Sequence, residues 1–344
     1  MKAVILPEHG PVENLRYVTD FPVPEPGPGE VRLRVHASAL NALDLFVREG
    51  WPGLKLEMPH ILGADAAGEI DALGEGVTDW AVGDRVAVDP SLSCGECAFC
   101  RAGQQNLCPR FGILGEDARG TNAEYAVVPA RNLLRLPEHV SYAAAAAAGL
   151  VFLTAWHMLI TRGGLRPGES VLVVGAGGGV NTAALQIAKL AGARVFVVGS
   201  SDEKLEKAAA LGADVLINRD KEDWSKAVFS LTERQGVDVV VDNVGQATLF
   251  GSIRAVRKGG RILIVGSTSG PKFDLDLRYI FSKQISLIGS TMAPRADFVR
   301  VMELVFAGRL KPVIGAELPL EQVAEGHRLL ERGEVFGKVV LLHG

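Results

Sequence analysis

Two groups of residues in this chain have the types and spacing to do chemistry. All four cysteines fall in one short run, Cys94, Cys97, Cys100 and Cys108, spaced Cys-x2-Cys-x2-Cys-x7-Cys. Four thiolates at such short separations suit a tetrahedral metal, and zinc is the expected ion. An iron–sulfur centre uses similar spacings, and unliganded thiols are the remaining alternative. Four protein ligands would close the coordination sphere, so one structural zinc per chain is expected, in a lobe spanning 91–110. The second group is the glycine run Gly175, Gly177, Gly178 and Gly179, which follows the apolar stretch Val171-Leu-Val-Val174 and precedes Val180-Asn-Thr-Ala-Ala-Leu-Gln-Ile-Ala. A buried parallel strand, a glycine turn and a helix in that order aim free backbone N–H groups and the positive end of a helix dipole at a pyrophosphate.

A glycine turn alone is a weak signal, and the elements around it decide its meaning. A second strand, Arg194-Val-Phe-Val-Val198, follows about 20 residues on, at the spacing of the strand that meets an adenosine ribose. Helices are expected over 202–211, 222–234 and 246–256, and strands over 214–217, 237–241, 261–265 and 285–289. This alternation is that of an α/β Rossmann domain with a doubly wound parallel sheet. Residues 1–147 read instead as short strands between turns such as Pro22-Val-Pro-Glu-Pro-Gly-Pro-Gly29. A helix over 295–307, another near 321–331 and a last strand over 337–342 return to that β-rich part. The expected domains are therefore 1–147 with 291–344, and 148–290.

Composition narrows the function. A formal net charge of −4 gives no basic footprint for nucleic acid. The alanine-rich run near 143–153 is too short to cross a bilayer, and the first residues lack the apolar core of a signal peptide. A cytoplasmic protein acting on a small molecule, with no nucleic-acid or membrane partner, is expected, and the confinement of every cysteine to one lobe suits a reducing compartment. The last strand of the parallel sheet, 285–289, is an edge that invites pairing across a two-fold axis, so a homodimer or homotetramer is expected.

Several short stretches resemble the medium-chain dehydrogenase/reductase superfamily, and the resemblance runs over nearly the whole chain. They are Gly29-Glu-Val31, Asn41-x2-Asp44, His60-Ile-Leu-Gly-Ala-Asp-Ala-Ala-Gly68, Gly83-Asp-Arg-Val86, the cysteine lobe, Thr154-Ala155, the Gly175 loop and Phe336-Gly-Lys338. The resemblance implies a GroES-like β-rich catalytic domain interrupted by the Rossmann domain, with an active site in the cleft between them. In the zinc alcohol dehydrogenases of the superfamily a catalytic zinc is held by a cysteine, a histidine and a further cysteine or acid. Those three positions carry over to Asn41, Ala64 and Leu150, and the acid beside the histidine to Asp65. Alanine and leucine cannot bind zinc, and an asparagine amide binds it poorly. The resemblance therefore shifts towards the quinone oxidoreductase-like and enoyl-reductase-like branches.

An NAD(P)H-dependent reductase of an activated double bond, quinone or carbonyl is thus the leading expectation. An alcohol dehydrogenase with an unusual or metal-free site is the alternative, and a nucleotide-binding protein without turnover is the reading from another class. Asn41 is expected to polarise the acceptor and Asp44 to hold the hydrogen bonds around it. The competing reading makes both of them only a loop–helix junction. Trp51, Asp65 and Leu150 are expected in the substrate pocket. Trp51 stands where related enoyl reductases carry a tyrosine, and Tyr17, Tyr125, Tyr142 and Tyr279 lie elsewhere, so solvent is expected to supply the proton. His36, His60 and His157 read as structural, with His60, Asp44 and Asp65 as the one combination able to rebuild a metal site.

Val198-Gly-Ser200-Ser201 has no acid at the end of the second strand, where an NAD enzyme would usually bind both ribose hydroxyls. Small hydroxyl residues leave room for a 2′-phosphate, with Lys204 and Arg219 to neutralise it, so NADP(H) is favoured over NAD(H). The opposing reading has Asp202 turning back to the ribose. Thr154, Asn243, Val265, Gly266 and Ser290 are further cofactor contacts by resemblance, together with Gly175, Gly177, Gly178, Gly179, Val180, Ser200 and Ser201. Asn181 stands where the family has the last glycine of its loop.

Overall fold

The computed structural model describes all 344 residues. Its Cα packing divides the chain into two compact units, Met1–Leu153 with Ala293–Gly344, and Thr154–Met292. The first division falls inside helix Tyr142–Trp156, later than the 147/148 boundary read from the sequence. Its alanine run gives no side-chain bulk to mark an end, and the helix stays close to the first unit at Gly149, where an added Cβ would lie 2.2 Å from Asp65 Oδ1. The apolar stretch Tyr142–Arg162 is long enough to cross a membrane by length alone, but 78% of its most apolar window is buried inside the protein, as in a core helix.

The first unit is built on a seven-stranded sheet. Its path runs Ile314–Pro319, Lys338–Leu342, Glu30–Ala39, Asp65–Leu73, Arg85–Val88, Leu133–Arg135, with Tyr125–Pro129 also paired to Glu30–Ala39. Strand Glu30–Ala39 alternates buried Val31, Leu33, Val35 and Ala37 with more exposed positions, the period-two pattern of a strand with one face on a core. The chain's last strand pairs antiparallel with that same strand, Val340 opposite Ala39. The C-terminal strand is thereby built into the sheet formed by residues 30–135, while the first strand, Ala3–Ile5, pairs separately with Arg16–Val18.

The second unit is a six-stranded parallel sheet. Numbered along the chain as Ser170–Val174, Arg194–Gly199, Val215–Asn218, Val237–Asp242, Val256–Ile264 and Ser286–Gly289, its strands lie in the order third, second, first, fourth, fifth, sixth. This is the dinucleotide-binding order, whose direction of winding reverses between the first and fourth strands. Val171, Leu172, Val173 and Val174 are each at most 1% exposed, because helices cover both faces of the sheet. The helices are shorter than the sequence reading at several ends: Trp224–Leu231 and Leu249–Ala255 replace 222–234 and 246–256. Asp223 stops the first by capping it, its side chain accepting from the N–H groups of Ser225 and Lys226. Asp242 draws residues 244 and 245 into a turn ahead of the second, accepting from the N–H groups of Val244 and Gly245, each at 3.0 Å.

Candidate active site

In the first unit, the residues that carry over to the zinc-ligand positions lie around a buried ion pair. Asn41 is the N-cap of helix Ala42–Glu49, where the chain leaves strand Glu30–Ala39. Its N–H donates to Asp44 Oδ2 at 2.7 Å, and Gly63 N–H donates to Asp44 Oδ1 at 2.9 Å. The Asn41 side chain donates to Ala39 O at 3.2 Å and to Asp65 Oδ2 at 2.9 Å. Its Oδ1 accepts from Lys338 Nζ at 2.6 Å, and Lys338 also donates to Asp65 Oδ2 at 3.0 Å. The second oxygen of Asp65 accepts the Leu150 N–H at 2.6 Å. Asn41, Asp44, Asp65 and Lys338 are all at most 6% exposed.

The carbonyl of Ala39 and the ammonium of Lys338 fix which way the Asn41 amide faces. Asn41 has two amide protons and each has an acceptor inside the unit, so the geometry is that of the junction reading rather than of a free polarising donor. Asp65 is fully buried and therefore lies beneath any pocket wall instead of forming one, a correction to its expected place. Leu150 is 9% exposed and Trp51 is exposed at 41%, in the loop after Gly50. Burial pushes the Asp44 carboxyl up to about 6, against the pull of the Asn41 and Gly63 N–H groups and of Lys338. His60 is buried with Nε2 3.1 Å from Gly115 O, and burial holds its pKa below the usual range. It does not converge with Asp44 and Asp65, and no metal-ligand group forms from these three.

The cysteine lobe does converge. One ligand atom from each of Cys94, Cys97, Cys100 and Cys108 lies within 4.8 Å of the others, with Cys94 Sγ 3.5 Å from Cys108 Sγ and 3.8 Å from Cys100 Sγ. A tetrahedral zinc with Zn–S near 2.3 Å requires sulfurs about 3.8 Å apart, so the four thiols fit that ion. Backbone N–H groups of Cys94, Cys97, Cys100 and Arg110 point at these sulfurs at 3.3–3.4 Å and spread the negative charge. N–H groups of Glu96 and Cys97 lower the Cys94 thiol, while burial and the neighbouring thiols raise that of Cys97, so the four sulfurs share their charge as one cluster.

In the second unit, the carboxyl ends of the strands gather the expected cofactor residues. Gly175 ends the first strand at φ +110, and an added Cβ would lie 2.6 Å from Asn181 Nδ2, so only glycine fits there. Gly178 caps helix Gly179–Leu190 without a side-chain bond, and Thr182 N–H is the first to enter the helical ladder, on Gly178 O at 2.9 Å. The N–H groups of Gly179, Val180 and Asn181 remain outside it, a donor set that fits a pyrophosphate. Ser200 and Ser201 follow the second strand, and Ser201 Oγ accepts the Lys204 N–H at 3.4 Å. Arg219 follows the third strand with its N–H on Gly199 O at 2.9 Å. Asp202 is engaged elsewhere, by Asn218 Nδ2 at 2.7 Å and Lys221 Nζ at 2.5 Å. Asn243, Val265 with Gly266, and Ser290 directly follow the fourth, fifth and sixth strands, and the buried Ser290 Oγ has no partner. Thr154 Oγ lies 3.9 Å from Met292 Sδ in the same unit.

Comparison with known proteins accounts for both units. Residues 27–138 match the alcohol dehydrogenase GroES-like domain, and residues 179–307 match the zinc-binding dehydrogenase family. An NAD-dependent alcohol dehydrogenase of Saccharolobus solfataricus is 33% identical, the match covering 99% of this chain and 100% of that one. The chain is a medium-chain dehydrogenase/reductase. An acryloyl-coenzyme A reductase of Metallosphaera sedula is 34% identical over 99% of both chains. A solved structure described as an NAD-dependent alcohol dehydrogenase superposes with a TM-score of 0.96 at 51% identity, over the full length of both chains.

This dehydrogenase/reductase is an oxidoreductase of α/β architecture, with a GroES-like unit and a Rossmann unit, and its four-cysteine lobe suits the zinc binding of its family. Sequence reasoning missed two roles. Lys338 enters it only as part of a family resemblance, although a lysine opening the apolar strand Lys338-Val-Val-Leu-Leu342 is itself a signal of a buried partner. Asn181 stands out there as a departure from glycine, but its partners are not visible in the sequence.

Proposed function

We propose that this chain is an NAD(P)H-dependent reductase of an activated, conjugated double bond or quinone, working without a catalytic zinc. The donor set around Asn41 carries the reading. Ala64 and Leu150 offer no metal ligand, and the Asn41 oxygen already accepts the Lys338 ammonium. The residues at these positions do not fit a catalytic zinc, and no step is assigned to one. An unactivated alcohol would need such a Lewis acid to stabilise its alkoxide before losing hydride. A conjugated acceptor delocalises the developing charge itself and needs less from the protein.

A bound reduced nicotinamide supplies the hydride. The chain's own part is to bind and orient: the free N–H groups that open helix Gly179–Leu190 hold the pyrophosphate, and solvent returns a proton to the reduced product. The Asp65–Lys338 pair fixes the Leu150 N–H and the Asn41 junction, giving a rigid wall instead of a reacting group. NADP(H) is favoured over NAD(H), because Asp202 is committed to Lys221 and Asn218 while Ser200, Ser201 and Arg219 leave space and charge for a 2′-phosphate. One structural zinc in the cysteine lobe, a cytoplasmic location, and a homodimer or homotetramer complete the proposal.

A second reading, alcohol oxidation, has the support of relatives named NAD-dependent alcohol dehydrogenases. One experiment separates the two. Metal content is measured on protein purified without added zinc, and NADPH and NADH oxidation is followed with a quinone, an enone and an aldehyde. One zinc per chain with quinone or enone turnover is expected. Two metals per chain, with chelator-sensitive alcohol oxidation, would replace the proposal by the second reading.

A further inference from the structure

The last glycine of the family's nucleotide loop is replaced here by Asn181, and its side chain joins the two strands between which the winding of the sheet reverses. Asn181 is 5% exposed. Its Nδ2 donates to Val174 O, the last carbonyl of the first strand, at 3.2 Å. Its Oδ1 accepts from Asn243 Nδ2, just past the fourth strand, at 3.1 Å. The backbone around Asn243 is itself fixed: Asp242 accepts the N–H groups of Val244 and Gly245 and the hydroxyls of Thr248 and Ser252, and Asn243 O accepts the Thr268 N–H at 3.2 Å.

The orientation of both amides follows from one fixed acceptor. A backbone carbonyl only accepts, so the Asn181 atom facing Val174 O must be the NH2 group. The Asn181 oxygen then faces Asn243, and the Asn243 atom facing it must in turn be NH2. The remaining Asn243 atom, Oδ1, is an unpaired acceptor at the carboxyl end of the fourth strand. In open α/β sheets ligands bind in the crevice at this reversal point. A glycine at position 181 would leave Asn243 free to present either end of its amide.

We propose that Asn181 is a positioning residue that locks Asn243 with its carbonyl oxygen towards the dinucleotide, where it accepts from a hydroxyl or amide N–H of the cofactor and not from a phosphate. The inference rests on the nicotinamide-dinucleotide reading above and adds to it the group that the Asn243 side chain recognises.

The test is binding, followed by the fluorescence of NADPH and of NADH on titration into the intact protein. Asn181→Gly and Asn243→Leu are each expected to raise Kd about three- to tenfold, the loss of one neutral hydrogen bond. Because Asn181 acts only through Asn243, the double variant is expected to match Asn243→Leu alone. Additive losses, or wild-type affinity in Asn181→Gly, would overturn the proposal. Asn181→Ser, too short to reach Asn243, provides the same comparison where the glycine variant fails to fold, which circular dichroism and melting temperature report. Failure of the unaltered chain to bind either dinucleotide would remove the proposed function, and this inference with it.

Discussion

Asp44 accepts two backbone N–H groups with its two oxygens, yet burial outweighs them and raises its carboxyl from 3.8 to about 6. A folded-state pKa above the unfolded one means that the folded chain holds the proton more tightly. The associated stability is therefore fully present below pH 3.8 and is lost as pH rises to about 6. A shift of this size corresponds to about 3 kcal/mol. Asp44→Asn cannot ionise, so its stability relative to wild type is expected to improve by about that amount between about pH 4 and about pH 7, whatever constant penalty the amide carries. Urea unfolding of both proteins at the two pH values measures the difference. A gap that does not move with pH would show Asp44 ionised throughout, its charge held by Lys338 and the two N–H groups.

At the scale of elements, what was legible in the sequence was local. The cysteine lobe and the strand–glycine–helix run each declare themselves within about 20 residues, since their ligands and N–H groups come from one short segment. The network around Asn41 was not legible, because its bonds reach 24 residues to Asp65 and 297 to Lys338 and depend on sheet register. The lobe has a similarly distant bond: Gln105, between the third and fourth cysteines, accepts the N–H of Arg295, the first residue of helix Arg295–Phe306. The Arg295 side chain donates to Asn132 O and Leu133 O beside the buried Asp89. The lobe therefore braces the start of that helix as well as itself. Removing zinc with a chelator is expected to speed amide exchange over 91–110 and in the first turn of the helix, while strand Ser170–Val174 stays protected. Exchange confined to 91–110 would show that the lobe folds without bracing the helix.

At the scale of the whole molecule, the sheet of the second unit ends in two edge strands, Val215–Asn218 and Ser286–Gly289, and the second of these lies beside an apolar surface. Strand Ser286–Gly289 pairs only with Val256–Ile264. Just before it, helix Leu277–Lys283 exposes Leu277 at 67% and Phe281 at 68%, four residues apart and so on one helical face. The same helix packs Ile280 against the core, so its exposed apolar residues are not the result of a misplaced element. An unpaired edge beside an apolar face has the features that suit isologous pairing, in which each edge strand would meet its own copy across a two-fold axis. We therefore expect the chain to sediment as a dimer or tetramer at micromolar concentration. Phe281→Glu places a charge on the covered face without touching the core, and Leu277→Asp does the same one helical turn away. Either change is expected to give a folded species of half the wild-type assembled mass, which for a dimer is the monomer mass of 36.5 kDa. A wild-type chain that sediments as a monomer would leave the open edge and the two apolar side chains facing water, and would end the dimer proposal; a variant that keeps the wild-type assembled mass would place the contact on another surface.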